Sequence, residues 1–109
     1  MTTARELLPV LSAMDGRRYE DVVLRARRAL LHRDFAAARA ELEHAVGEDD
    51  RRPEAFNLLG VIEALRGDHG RARGYWRMAL ALSPGYEPAE ENLLRVALRP
   101  RIPGGLALG

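Results

Sequence analysis

Glutamate, aspartate and histidine are the side chains here that could carry acid–base or metal chemistry. Glu41 and His44 stand three positions apart, which places a carboxylate and an imidazole on one helix face, the spacing that di-iron bundles use. Such a centre needs a second pair of the same kind and two further glutamates on facing helices, and the sequence has no second pair. His32 and His69 stand apart from it. The sequence therefore predicts no metal site and no cofactor.

Nucleophilic and phosphate-binding chemistry has no motif in this sequence either. We find no serine–histidine–acid set, nucleophile elbow or glycine-rich phosphate loop, and the absence of cysteine excludes thiolate chemistry and disulfides. Gly60 belongs to a helical pattern rather than to a loop. We therefore predict that the chain is not an enzyme.

Arginine is concentrated in the first third of the chain, at Arg17, Arg18, Arg25, Arg27 and Arg28. A nucleic-acid-binding protein concentrates basic charge on one face with little acid nearby. Here Glu20 and Asp21 interrupt the cluster, and the formal net charge is only +1. Nucleic acid is therefore a disfavoured partner.

The composition is typical of one globular domain. The 109 residues are 47% apolar and 30% charged, which allows a single modest core. No run approaches the roughly 20 apolar residues that a membrane span needs, and no signal-peptide pattern opens the chain. Because disulfides are also excluded, we expect a cytoplasmic protein without a membrane partner.

The elements that position these residues are predicted to be helices. Apolar residues recur at steps of three and four, and no stretch alternates with the period of two that a strand shows. Asp34 and Asp68 are placed to cap helices, Pro53 and Pro88 suit first turns, and Gly67 suits a left-handed helix end.

The chain also matches itself when it is shifted by 34 residues. Identical residues then meet at Glu20 and Glu54, Leu24 and Leu58, Leu31 and Leu65, Asp34 and Asp68, Ala38 and Ala72, Arg39 and Arg73, and Ala45 and Ala79. A fixed period of this length indicates a repeat architecture, in which each unit is one supersecondary motif.

Residues 53–86 resemble a tetratricopeptide repeat, a 34-residue unit of two helices. The signature positions of that family are filled by Phe56, Leu59, Gly60, Ala72, Trp76 and Pro84. Glu63 departs from the family pattern, which favours tyrosine there, and suggests a wetter edge to the helix. Residues 19–52 resemble a degenerate copy. That copy keeps Ala26, Ala38, Leu42 and Ala45, but has Arg25, Arg33 and Asp50 where the family has leucine, glycine and proline.

The small residues of the better copy have a physical explanation. Gly60 and Ala72 let two helix backbones approach to roughly 8–10 Å, and Trp76 fills the space beside them. Burial of the indole removes about 150–250 Å² of surface from water. We therefore expect Trp76 to anchor the core.

The resemblance implies an all-α fold, a right-handed α-solenoid of antiparallel helix hairpins with about six helices. Residues 1–99 would form a single domain: an N-terminal helix over 3–14, the degenerate repeat 19–52, the repeat 53–86 and a capping helix over 87–99. In the last helix, from about Pro88 to Leu98, we expect the apolar face to run through Leu93, Leu94 and Ala97. Residues 100–109 are expected to form a flexible tail.

In this family the first helix of each pair lines a concave groove. The resemblance places at that groove Val23, Arg27, Leu30, Asn57, Val61, Glu91 and Arg95. Apolar side chains there would supply affinity for a peptide, while arginine and asparagine would fix a carboxylate or backbone groups. The clamp that some members use for C-terminal carboxylates is absent, because the matching places hold Val23, Arg27, Leu58, Pro88 and Asn92.

We therefore predict a non-catalytic protein–protein interaction module that binds a peptide or partner segment in this groove. The alternative is a self-assembling, dimeric scaffold protein, because the open ends of a solenoid can pair two chains into a homo-oligomer.

Overall fold

The computed structural model describes residues 4–98 and 106–108, with side chains described for residues 18–97 and 106–108. This part of the chain is all-α, as predicted. Helix α1 spans Ala4–Leu31, α2 Phe35–Glu48, α3 Pro53–Leu65, α4 His69–Leu82 and α5 Glu87–Leu98. None of these five described helices combines the length and the apolar character that a membrane crossing requires.

The first helix is longer than the sequence predicts. One helix over 3–14 and another from Tyr19 are expected, whereas α1 runs without a break from Ala4 to Leu31. Between the two predicted helices only Gly16 disfavours a helix, at a cost of about 1 kcal/mol, and no proline interrupts the backbone hydrogen bonds there. The described chain therefore has five helices rather than about six. Residues 1–3, 99–105 and 109 of the predicted segments lie outside the described residues.

Two helix pairs form the body of the molecule. Helix α1 packs on α2 and α3 packs on α4, and each pair is joined by a three-residue turn, 32–34 or 66–68. Turns this short leave the two helices of a pair running in opposite directions. Helix α2 contacts α3, and α4 contacts α5, so the pairs follow one another in chain order.

The two turns have the same hydrogen bonds, 34 positions apart. The amide of Asp34 donates to the Ala29 carbonyl at 2.9 Å, and the amide of Asp68 donates to the Glu63 carbonyl at 2.8 Å. Each aspartate also caps the following helix through its Oδ1. Asp34 Oδ1 accepts from the amide of Ala37 at 3.1 Å, and Asp68 Oδ1 accepts from the amide of Arg71 at 3.0 Å. The predicted caps are therefore confirmed, and the 34-residue period is present in the backbone geometry.

Trp76 is fully buried between α3 and α4, as predicted. Its indole lies directly against Gly60, and its Nε1–H donates to the backbone carbonyl of Asn57 at 3.1 Å. Ala72 and Ala79, one turn on either side of the indole, are also fully buried. In the first pair Ala38, Leu42 and Ala45 hold the equivalent places and are equally buried. The close approach at Gly60 is confirmed.

Glu63 does not make the wetter edge that its departure from the repeat pattern suggests. The residue is 4% exposed, and its carboxylate pairs with the guanidinium of Arg39 on α2. A buried carboxylate needs such a partner, because an unpaired charge is costly away from water. In place of the expected wet edge, the buried Glu63 carboxylate forms a part-buried ion pair with Arg39 between the two helix pairs.

The predicted apolar face of α5 is correct at Leu93, which is partly buried against the core, and wrong at Leu94 and Ala97, which are exposed. Leu94 is 59% exposed, whereas Ala89, Asn92 and Val96 are buried. Ala89, Asn92 and Val96 are three and four positions apart, so they lie on one face of the helix. A polar side chain lies at the centre of the buried face, and for that reason an apolar pattern does not find it.

Substitution of Gly60 by alanine should destabilise the fold by about 1–3 kcal/mol, because a new methyl group overpacks a filled site. Its Cβ would lie 2.6 Å from Cδ1 and 2.8 Å from Cε2 of Trp76. Gly74 on α4 is the matched control, since a Cβ there meets nothing within 4 Å. Gly74→Ala should stabilise the helix by about 0.5–1 kcal/mol. Urea unfolding of both variants measures this, and equal effects would contradict the packing of Trp76 on Gly60.

The two turns differ in one residue that should affect stability. Gly67 has a φ of 91°, and Arg33, its counterpart in the first pair, has a φ of 58°. A non-glycine residue in this left-handed region costs roughly 1–2 kcal/mol. Arg33→Gly should therefore raise the free energy of unfolding by about 0.5–1 kcal/mol, and Gly67→Arg should lower it by about the same amount. Thermal melts of the two variants check the opposite signs, and a loss of stability in Arg33→Gly would refute the shared turn.

Candidate functional site

Helices α1, α3 and α5 lie next to one another, because α1 contacts α3 and α3 contacts α5. These are the helices on which the sequence places the groove residues. The seven residues divide into three groups by exposure. Val23, Leu30, Asn57 and Val61 are buried, Arg27 is half-buried, and Glu91 and Arg95 are exposed.

The apolar members of the set do not form an open strip. Val23 is 3% exposed, Leu30 is 6% exposed and Val61 is 1% exposed, and all three belong to the hydrophobic core. Leu106 and Leu108 are partly buried and pack against that core. Leu106 and Leu108, which follow α5 in the chain, thus supply apolar side chains to the core of the helical body.

Two asparagines form the polar centre of this face. Asn57 on α3 and Asn92 on α5 are both fully buried, and Asn92 Nδ2 donates to Asn57 Oδ1 at 2.9 Å. Buried amide groups that lack partners cost about 1–3 kcal/mol each, so the remaining donors and acceptors need to be satisfied. The pair leaves free one donor nitrogen on Asn57 and both an acceptor and a donor hydrogen on Asn92.

The backbone of Ala107 supplies those partners. Its carbonyl accepts from Asn57 Nδ2 at 3.0 Å and from Asn92 Nδ2 at 2.9 Å, and its amide donates to Asn92 Oδ1. Asn92 therefore binds both backbone polar groups of one residue, as a neighbouring β-strand would. The residues of this contact belong to the segment for which the sequence predicts a flexible tail, and these hydrogen bonds explain why Ala107 is held.

Arg27 on α1 extends the contact by one residue. Its Nε–H donates to the carbonyl of Leu108 at 3.1 Å. Side chains from α1, α3 and α5 thus bind the backbone of one short segment, 106–108, which lies across all three helices. Arg27 also lines a surface depression together with Tyr19, Glu20, Val23, Arg52 and Glu54.

Glu91 and Arg95 lie on the exposed side of α5. Their side chains are about half exposed, and Arg95 Nη2 lies 2.7 Å from Glu91 Oε1. An exposed pair four residues apart on a helix stabilises it by only about 0.3–0.5 kcal/mol. The structure therefore brings Arg27 and Asn57 together on the segment 106–108, and it places Glu91 and Arg95 outside that contact.

Asn92 contacts the segment 106–108, although the repeat pattern does not predict it as a groove residue. It stands one position after Glu91, the place that the repeat pattern assigns to the groove. The available signal is its position between Ala89 and Val96 on the buried face of α5. A lone amide at a helix position otherwise reserved for the core indicates a buried polar contact.

The depression next to Arg27 is built around Tyr19, which is 1% exposed. Its hydroxyl accepts from the amide of Ala55 at 3.1 Å, and lies 3.4 Å from both the Arg52 carbonyl and Glu54 Oε2. The first turn of α3 has no side-chain cap of its own, so a residue of α1 provides it. The guanidinium of Arg52 covers the ring, 4.3 Å from its centroid.

The titration of Tyr19 reflects this burial. Loss of water around the hydroxyl raises the pKa of Tyr19 to about 12, and the nearby Glu54 carboxylate acts in the same direction. The Ala55 amide favours the phenolate and opposes the shift. The phenol is therefore a neutral, structural group at neutral pH, and its chemistry here is hydrogen bonding.

The groups that suggested a metal site are separated by their partners. Glu41 pairs with Arg25 at 3.3 Å, and His44 Nε2 lies 3.5 Å from Glu48 Oε1. Among the residues that the structure describes, no three metal-binding side chains gather in one place. The carboxylate and the imidazole thus point to different neighbours.

No family model, curated protein or solved structure matches this chain.

Tyr19→Phe should lower the free energy of unfolding at pH 7 by about 0.5–1.5 kcal/mol, because the Ala55 amide loses its acceptor. The pH dependence should change as well. In the native chain the folded state keeps the phenolic proton between pH 10 and about 12 while the unfolded state releases it, so stability falls as the pH rises through this range.

Urea unfolding between pH 7 and pH 12 measures both effects. The variant should lose less stability than the native chain between pH 10 and pH 12. An identical decline in the free energy of unfolding of the two proteins would show that Tyr19 is not buried against the first turn of α3.

Proposed function

We propose that the chain is a tetratricopeptide-like solenoid module that binds an extended segment of another protein in the groove of α1, α3 and α5 and catalyses no reaction. The 34-residue period of the hydrogen bonds, caps and buried positions supports the repeat architecture. The contacts of α1 with α3 and of α3 with α5 support a groove lined by the first helix of each pair.

One observation carries the binding function. Arg27, Asn57 and Asn92 direct their polar groups to the backbone of residues 106–108, and no side-chain polar group of that segment takes part. A site that reads backbone groups accepts any extended segment whose side chains fit beside it. The groove is thus suited to a peptide.

Loss of the Arg27 side chain should weaken partner binding. The side chain is half-buried, and a charge-assisted hydrogen bond to a backbone carbonyl contributes about 1.5–3 kcal/mol. For a peptide selected from a displayed random library on the immobilised full chain, Arg27→Ala should weaken the affinity by about tenfold or more when both chains also carry Leu106→Asp and Leu108→Asp, which release Arg27 from Leu108. Calorimetric titration of the native and variant chains measures it.

Arg77→Ala is the matched control, because Arg77 is an exposed arginine on α4, outside the groove. That variant should keep the native affinity within about twofold. Equal affinities of Arg27→Ala and the native chain, or a library that yields no binding peptide, would refute the groove as the binding site.

A further inference from the structure

The segment 106–108 occupies the polar groups that the proposed partner would use. Asn57 and Asn92 together form three hydrogen bonds with Ala107, and Arg27 forms one with Leu108. A second peptide cannot bind the same amide groups while these bonds are present. We propose, on the basis of the proposed function, that residues 106–108 compete with the partner for the groove. The partner then presents a segment of the same chemistry.

That chemistry is specific enough to define a class of partner. The central residue is alanine, whose carbonyl accepts from both asparagines and whose amide donates to Asn92, so a small side chain suits this position. The flanking residues are leucines, both partly buried against the core. The three residues carry no charge. The partner segment is therefore extended and uncharged, with two apolar side chains on either side of a small residue.

The hydrogen bonds of Asn57 and Asn92 show why the groove needs an occupant of this kind. If the segment leaves and nothing replaces it, Asn57 loses one hydrogen-bond partner and Asn92 loses two. Water can satisfy the amides, but water does not cover the apolar surface against which Leu106 and Leu108 pack. A partner with the same pattern restores both kinds of contact.

Attachment to α5 makes the segment an effective competitor. A short tether holds a ligand at an effective concentration in the millimolar range, so even a weak segment fills its site most of the time. The apparent dissociation constant of a free peptide then equals the intrinsic constant divided by the fraction of time for which the site is free. Occupation for nine-tenths of the time would weaken a free peptide by about tenfold.

A peptide titration tests the competition directly. The probe is a synthetic hexapeptide with the sequence of residues 104–109, blocked at both ends and added to the isotope-labelled full chain up to several millimolar. The side-chain amide signals of Asn57 and Asn92 report binding. The Leu106→Asp/Leu108→Asp variant should bind the peptide about tenfold more tightly than the native chain, and addition of Asn92→Ala to that variant should abolish binding.

Ala107→Pro is a second way to release the segment. It removes the amide that donates to Asn92 and leaves all helix residues unchanged. This variant should also bind the hexapeptide about tenfold more tightly than the native chain. A hexapeptide with aspartate in place of both leucines is the control probe and should not bind any of these proteins.

The outcomes separate this inference from the proposed function. Equal affinity of the hexapeptide for the native and released chains overturns the competition. Failure of the hexapeptide, while a library-selected peptide still binds through Arg27, overturns the inference and leaves the proposed function standing. If light scattering shows a native dimer that becomes a monomer in the released variants, the segment belongs to a second copy and the inference is also overturned. Failure of every peptide refutes both.

Discussion

The contact between the Trp76 indole and Gly60 is the constraint on which the remaining structure depends. Only a residue without a side chain admits the ring at this distance, and the indole N–H then bonds the carbonyl of Asn57. This bond fixes the middle of α3 against α4. The side chain of the same asparagine binds Asn92 and Ala107. Core packing and the candidate binding site therefore share one residue.

Two polar contacts connect α3 to the first helix pair. The hydroxyl of Tyr19 caps the start of this helix, and Arg39 on α2 neutralises Glu63 near its end. The Tyr19 hydroxyl and the Glu63 carboxylate are buried and need these partners. The two contacts therefore specify how the helix pairs pack and also stabilise the packing. They hold α1 and α3 in place beneath Arg27 and Asn57, and thereby keep the two binding side chains within reach of one segment.

The local features were predictable from the sequence because they depend on neighbours in the chain. The caps at Asp34 and Asp68, the left-handed Gly67 and the close packing of Gly60 all follow from residue type and spacing. The continuous α1 was not predictable in this way, because Gly16 is too weak a helix breaker to decide the boundary alone. Asn92 escaped because an apolar pattern passes over a polar residue on a buried face. The docking of residues 106–108 depends on contacts between residues far apart in the sequence, which periodicity does not reveal.

Asn57 on α3 and Asn92 on α5 together hold the backbone of Ala107. Nuclear Overhauser measurements on the full chain in solution test it most directly. We expect cross-peaks between the side-chain amide protons of Asn92 and the backbone protons of Ala107, and cross-peaks from the Trp76 indole to Gly60. Random-coil shifts for Ala107, with no cross-peak to either asparagine, would contradict it.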